Sequence, residues 1–463
     1  MFLGGNKMYD VIIRNGSVVL DTGILHAEIG IQNGSIAEVA PSISQTAAEE
    51  VDASGMYVFP GAIDVHVHLD EPGRTHWEGF KTGAEMLAAG GVTTFVDMPL
   101  NGIPSTTTKD ALVTKAQLGM EKSIIDFGLW AGLVPGNTHE LSALAEAGCL
   151  GFKAFLSPTG NKEFESVNDE ELLLGMSHIA GLGKVLALHA ESGPMTTFLT
   201  NQKRQHQQVT ADDYLESRPI AAEVEAVERA LHYASITGCP LHFVHISSVE
   251  AVAVIEGAKQ KGMDVTLETC PHYLLFSHQD LHEKGNLAKC APPLRHISDH
   301  KKLRAAMKMG RVDFLTSDHS PCDPELKDEE NYSLFEAWGG INGGGCTLLA
   351  ALQFALDEEI DLHHVAQWTA KKPAERFGLA DRKGDIAEGK DADLVMVSMN
   401  QHVVTLDNYY AKHPLSLYTG KQFSTRVEQV FSSGQRVFTR QDGPIHSRTG
   451  QWLKSLELAK NEV

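Results

Sequence analysis

The residues of this chain best suited to chemistry are His66 and His68, at the end of the apolar run Pro60-Gly-Ala-Ile-Asp-Val-His-Val-His-Leu69. In an extended strand, side chains at i and i+2 point the same way. Two imidazoles on one face, just before the turn Glu71-Pro72-Gly73, can share a metal ion at the mouth of a sheet or barrel. A His-x-His pair is also short enough to occur in an ordinary core or rim, where each ring only hydrogen-bonds. The metal reading therefore turns on whether further ligands fall nearby.

Three candidates end other apolar runs: His189 in Lys184-Val-Leu-Ala-Leu-His, His245 in Pro240-Leu-His-Phe-Val-His, and Asp318 after Phe314-Leu-Thr-Ser. His242, at a strand start, reads as structural, and His319 as a rim residue beside the site. Lys153 is the odd group, set within Gly151-Phe-Lys-Ala-Phe-Leu156. An ammonium in so apolar a strand is costly unless paired or neutralised. It either snorkels to the rim or pairs with an acid. Otherwise, as a neutral amine, it takes up carbon dioxide and becomes a carbamate that bridges two metals as a carboxylate would.

Positioning these groups requires regular elements. From about residue 59 to 380, short apolar strands alternate with longer helical patterns, the signature of βα units and a parallel sheet. Eight candidate strands start at Ala62, Val92, Ile125, Gly151, Val185, Leu241, Val265 and Phe314, the last ending on Asp318. That number fits an α/β fold with a (β/α)8 barrel, whose active site lies at the C-terminal strand ends. His66, His68, His189, His245 and Asp318 then share one rim. The ends of the chain, 1–58 and 381–463, have a different texture, with short β runs divided by Asn15-Gly16, Asn33-Gly34 and Ser433-Gly434 turns. They predict one small β-sandwich domain built from both termini.

Composition narrows the function classes. A chain of 463 residues, 42% hydrophobic, can bury a large core. Its formal charge of -21, without a basic stripe, argues against nucleic acid and anionic membranes as partners. Six dispersed cysteines without Cys-x-x-Cys fit reduced thiols in a cytoplasmic protein, and Cys322 reads as a packed thiol. Met1 to Met8 holds no long apolar segment, and no window reaches the length of a membrane span. There is no Gly-x-Ser-x-Gly elbow, and Gly343-Gly-Gly345 lacks the Lys-Ser/Thr of a phosphate loop.

Over nearly its whole length the chain resembles the metal-dependent amidohydrolase superfamily, and within it the cyclic amidohydrolases that carry a carboxylated lysine. The resemblance rests on His66-Val-His-Leu-Asp-Glu-Pro-Gly-Arg-Thr-His-Trp-Glu-Gly79, Gly151-Phe-Lys153, Cys270-Pro-His-Tyr273, Ala291-Pro-Pro-Leu-Arg295, Ser317-Asp-His-Ser-Pro-Cys322 and Ala337-Trp-Gly-Gly-Ile341. It implies two divalent metal ions per subunit, zinc first, with cobalt or manganese also suited to such ligands. His66 and His68 would bind one with Asp318, His189 and His245 the other, and carboxylated Lys153 would bridge them. Asp318 would also move the proton between the attacking hydroxide and the departing ring nitrogen. The resemblance further implies a small cyclic amide as substrate and a homotetramer.

Departures from sister enzymes narrow the branch. Dihydroorotases typically have Arg two positions after the second His, where this chain has Asp70. Hydantoinases and dihydropyrimidinases, the nearest alternative, typically have Tyr five residues past the bridging lysine, where this chain has Pro158. Ala291 stands where relatives often have Ser. Non-catalytic scaffold relatives typically lack the metal ligands, whereas all six are present here. For substrate contacts the candidates are Asn101, Arg74, Ser317, Gly339 and Gly340, each of which also admits a purely structural role.

Overall fold

The computed structural model describes residues 8–454; residues 1–7 and 455–463, counted with the terminal β domain and including most of the N-terminal stretch read above, lie outside the described residues. Eight parallel strands follow one another in sequence order: β1 (Ala62–Val67), β2 (Val92–Asp97), β3 (Asp126–Gly132), β4 (Gly151–Phe155), β5 (Val185–His189), β6 (Leu241–Phe243), β7 (Val265–Thr269) and β8 (Phe314–Leu315). The ring closes where Val67 bridges His319 in parallel and the His68 amide donates to the His319 carbonyl at 2.7 Å. Helices fill the connections, including Phe80–Ala89, Lys109–Lys122, Asp169–Gly181, Ile220–Thr237 and Val249–Gln260. Their starts are specified locally: Asn168 and Glu171 form a capping box on Asp169–Gly181, and the Thr108 hydroxyl accepts from the Ala111 amide.

Two strands end earlier than their apolar runs suggest. β6 stops at Phe243 and β8 at Leu315, short of His245 and Asp318. Both residues adopt left-handed backbone conformations, with φ of 41° and 45°, which a ladder does not accommodate. Asp70 and Asn101, just past β1 and β2, do the same at 61° and 73°. Such conformations cost on the order of 1–3 kcal/mol each in non-glycine residues and concentrate at functional sites.

Strands from both ends of the chain join one nine-stranded sheet. Leu394–Ser398 lies antiparallel to Met56–Pro60, which in turn pairs with Tyr9–Leu20. Val18, Ile29 and Ile31 from the N-terminal part share an apolar cluster with Leu394, Met396 and Phe431. Among the described residues, no helix is long and apolar enough to cross a membrane.

Candidate functional site

Past the end of β1, His66 Nε2 and His68 Nε2 lie 3.1 and 3.3 Å from Asp318 Oδ1, and one ligand atom from each of the three residues falls within 4.8 Å of the others. The other nitrogen of His66, Nδ1, is held by Glu268 Oε1 at 2.5 Å. Glu268 comes from β7 and is fixed from its other oxygen by His242 at 3.0 Å, with His242 in turn bonded to Thr266. A carboxylate on Nδ1 orients the ring and leaves Nε2 for a metal, an arrangement common behind metal-binding histidines. His242 is thus the structural residue expected, with a purpose: it steadies the carboxylate that steadies His66.

A second pair stands beside the first. His189 Nδ1 and His245 Nε2 are 2.9 Å apart, and the His245 ring centroid is 5.5 Å from that of His66. His189 Nε2 is bonded to Glu191 at 2.9 Å, and Glu191 is ion-paired with Arg218. Phe155 stacks on the His189 ring at 4.6 Å.

Lys153 is completely buried, and among the described residues its Nζ has no hydrogen-bond partner. Its neighbours across the ladder are Gly132 and Ala187, small residues that leave room for a long side chain. Burial lowers its pKa to about 7, against the pull of Asp318 and Glu268. A largely neutral amine at physiological pH is the form that adds to carbon dioxide. Burial is the main cause that lowers the imidazole pKa of His68, His189 and His245. Neutral imidazole is the metal-binding form. At His66, burial opposes a charge, yet Asp318 and Glu268 raise the pKa to about 9, so the spot favours positive charge. Burial would raise the Asp318 carboxyl, but the His66 charge and hydrogen bonds from His66 and His68 hold it well below the usual carboxylate range. Three neutral imidazoles, a fourth at a spot that favours positive charge, an ionised carboxylate and an orphaned amine together fit divalent cations and a carbamate bridge.

These groups open into a cavity of about 510 Å³ lined by His66, His68, His189, His245 and Asp318. Of the expected substrate contacts, Asn101 and Gly339 line it, with Asn101 Nδ2 3.4 Å from His68 Nδ1. Arg74, Ser317 and Gly340 are outside the lining. The Arg74 guanidinium stacks on Trp77 at 4.6 Å, the Ser317 amide and hydroxyl tie Asp64 to the His319 amide, and the Gly340 carbonyl accepts from Lys327. Asp70 is wholly buried with neither carboxylate oxygen hydrogen-bonded among the described residues, and the lining excludes it. His319 sits behind the rim, its Nε2 3.6 Å from Glu78. Burial pushes the Cys322 thiol up to about 12, consistent with an inert packed group.

Sequence reasoning missed Glu268, Glu191, Arg218, Lys289 and Arg204. Glu268 was findable by the argument used for Lys153, since Val265-Thr-Leu-Glu-Thr269 sets a charge inside an apolar strand. The others follow strands or lie in helices and loops where charge is unremarkable.

A closed parallel barrel with paired histidines, an aspartate and a lysine at its C-terminal rim defines a metal-dependent hydrolase of the amidohydrolase type. The model of the amidohydrolase family matches residues 57–437, and the chain belongs to that family. Its relatives specify a branch. It is 51% identical to an allantoinase of Bacillus velezensis over 97% of this chain and 98% of that one. It is 46% identical to an allantoinase of Deinococcus radiodurans, over 93% and 95%. Among solved structures, it superposes on the L-hydantoinase (dihydropyrimidinase) of Arthrobacter aurescens with a TM-score of 0.93 and 30% identity, covering 96% of this chain and 100% of that one.

Proposed function

We propose that this protein hydrolyses the cyclic amide of allantoin, opening the hydantoin ring to allantoate. The observation that carries the reading is the convergence of His66, His68, His189, His245 and Asp318 around the buried, unpartnered Lys153 amine. The full-length likeness to allantoinases supports the choice of substrate. So do the motifs quoted above, which resemble those of allantoinases more closely than those of hydantoinases or dihydroorotases.

His66, His68 and Asp318 would hold one divalent ion, zinc by preference or cobalt or manganese, and His189 and His245 a second. Lys153 would bridge them after its amine adds to carbon dioxide and loses a proton to form a carbamate. Such ions supply hydroxide at neutral pH, by lowering the pKa of water to near ~7, and polarise the scissile carbonyl. Asp318 would take the proton of the attacking hydroxide and deliver it to the departing ring nitrogen. Glu268 and Glu191 keep the rings of His66 and His189 aimed. Asn101 and the backbone at Gly339 offer hydrogen bonds to the bound ring.

The structural likeness to hydantoinases keeps one second reading, ring opening of hydantoin or dihydrouracil on the same scaffold. Comparing kcat/KM for allantoin, hydantoin, dihydrouracil and dihydroorotate decides between them. Preference for allantoin supports the proposal, and preference for hydantoin or dihydrouracil replaces it. A cytoplasmic homotetramer belongs to the same reading; the six free, buried cysteines agree with a reducing compartment, and sedimentation measures the oligomer.

A further inference from the structure

The cavity has a cationic wall. Arg204, Arg218 and Lys289 line it, and Lys327 lies close enough to act on Lys289. In a chain of net charge -21 such a cluster needs an account of where each charge is spent. Arg218 is ion-paired with Glu191. Lys327 donates to the carbonyls of Asn286, Lys289 and Gly340, which uses its three donors. Arg204 is exposed and reaches the Phe335 carbonyl at 3.4 Å.

Lys289 differs from all of these. Its side chain is buried at 6% exposure, stands 5.3 Å from the Tyr214 ring, and packs 3.7 Å from where a Cβ on Gly339 would be. Its one hydrogen bond among the described residues goes to the Ala337 carbonyl, and no carboxylate pairs with it. The Glu336 carboxylate, which is exposed and also lines the cavity, accepts the Ser333 amide and hydroxyl on one of its oxygens and makes no ion pair with Lys289 among the described residues. Burial, followed by Lys327, Arg218 and Arg204, lowers the Lys289 pKa to about 7. A lysine Nζ carries two N–H donors even as a neutral amine, so at least one beyond that given to the Ala337 carbonyl remains at the lining of the cavity, where an incoming oxygen can accept it.

We propose that Lys289 is a specificity residue that donates to the acceptor oxygen of the substrate's ring substituent, which in allantoin is the ureido carbonyl. This deepens the ring-opening reading above and rests on it. It accounts for a cationic wall in a site whose substrate ring is neutral: the wall reads the tail, while the histidine rim holds the scissile amide.

The test compares wild type, Lys289→Met and Lys289→Arg on allantoin and on hydantoin, which lacks the tail, taken as substrate or as competitive inhibitor. In Lys289→Met the preference for allantoin over hydantoin falls by about 10- to 100-fold, mostly through KM, and Lys289→Arg recovers part of it. A role confined to holding the Ala337 carbonyl would weaken both compounds in parallel; a parallel loss or an unchanged ratio overturns the proposal. Should Lys289→Met fail to fold, wild-type inhibition replaces it. Hydantoin-5-acetic acid binding about tenfold or more tightly than 5-ethylhydantoin supports the proposal, and equal binding overturns it. A wild-type protein inactive on allantoin contradicts the proposed substrate instead, and that result is read before any variant.

Discussion

The two ends of strand β3 each face a buried lysine, and the two lysines are treated in opposite ways. At the C-terminal end, Gly132 neighbours Lys153, whose amine has no partner and whose pKa burial lowers to about 7. At the N-terminal end, Asp126 binds Lys383 at 2.6 Å, and Asp393 and Asp391 bind the same ammonium at 2.7 and 2.8 Å. Burial opposes the Lys383 charge, but these three carboxylates outweigh it and raise the pKa. Arg448 and the Gln451 amide complete the set on Asp126, fastening the C-terminal segment beneath the barrel. Burial alone therefore does not mark a functional lysine. What distinguishes Lys153 is the missing counter-ion, which leaves an amine available for covalent chemistry, whereas Lys383 is a permanently charged tie.

On that contrast the two lysines fail differently. Lys153→Ala is expected to lower allantoin turnover by more than about 10^4-fold and to reduce bound metal, with short carboxylic acids restoring part of both. Full activity of that variant without metal would remove the bridging role. Asp318→Asn, which shares the rim but serves the proton transfer, is expected to keep the fold and lose about 10^2- to 10^4-fold in kcat. Near-wild-type turnover would take Asp318 out of the mechanism. Lys383→Met leaves the buried Asp393 without its cation and takes one of two from Asp126 and Asp391, and is expected to destabilise the fold by roughly 3–5 kcal/mol, measured by urea unfolding, while kcat per folded molecule stays the same. Equal stability would show that the foot is not the tie described. The smallest effect is expected for Glu268→Gln, which weakens the orientation of His66 and should cost about 10- to 100-fold in metal affinity by titration.

The same contrast explains what the sequence could disclose. Alternating apolar strands and helical patterns give away the barrel because burial on both faces of a parallel strand demands a continuous apolar run. His66, His68 and Lys153 are conspicuous because polar groups interrupt such runs. The early ends of β6 and β8 are not visible, since the positive φ of His245 and Asp318 is imposed by tertiary packing rather than by residue type. Arg74 shows the converse: its charge suggests a substrate contact, while in the fold its guanidinium lies over Trp77 and outside the cavity lining. Lys383 and Lys289 lie outside the apolar strands, and only the fold reveals that one meets three carboxylates and the other meets none.

The central claim is that this rim works as a paired-metal hydrolytic centre, and stripping the wild-type protein of metal and titrating zinc back in the presence of bicarbonate tests it most directly. Allantoin hydrolysis should be absent at the start and rise to a plateau at two equivalents per chain. Undiminished hydrolysis by the metal-free protein, or a plateau that zinc never produces, would contradict it.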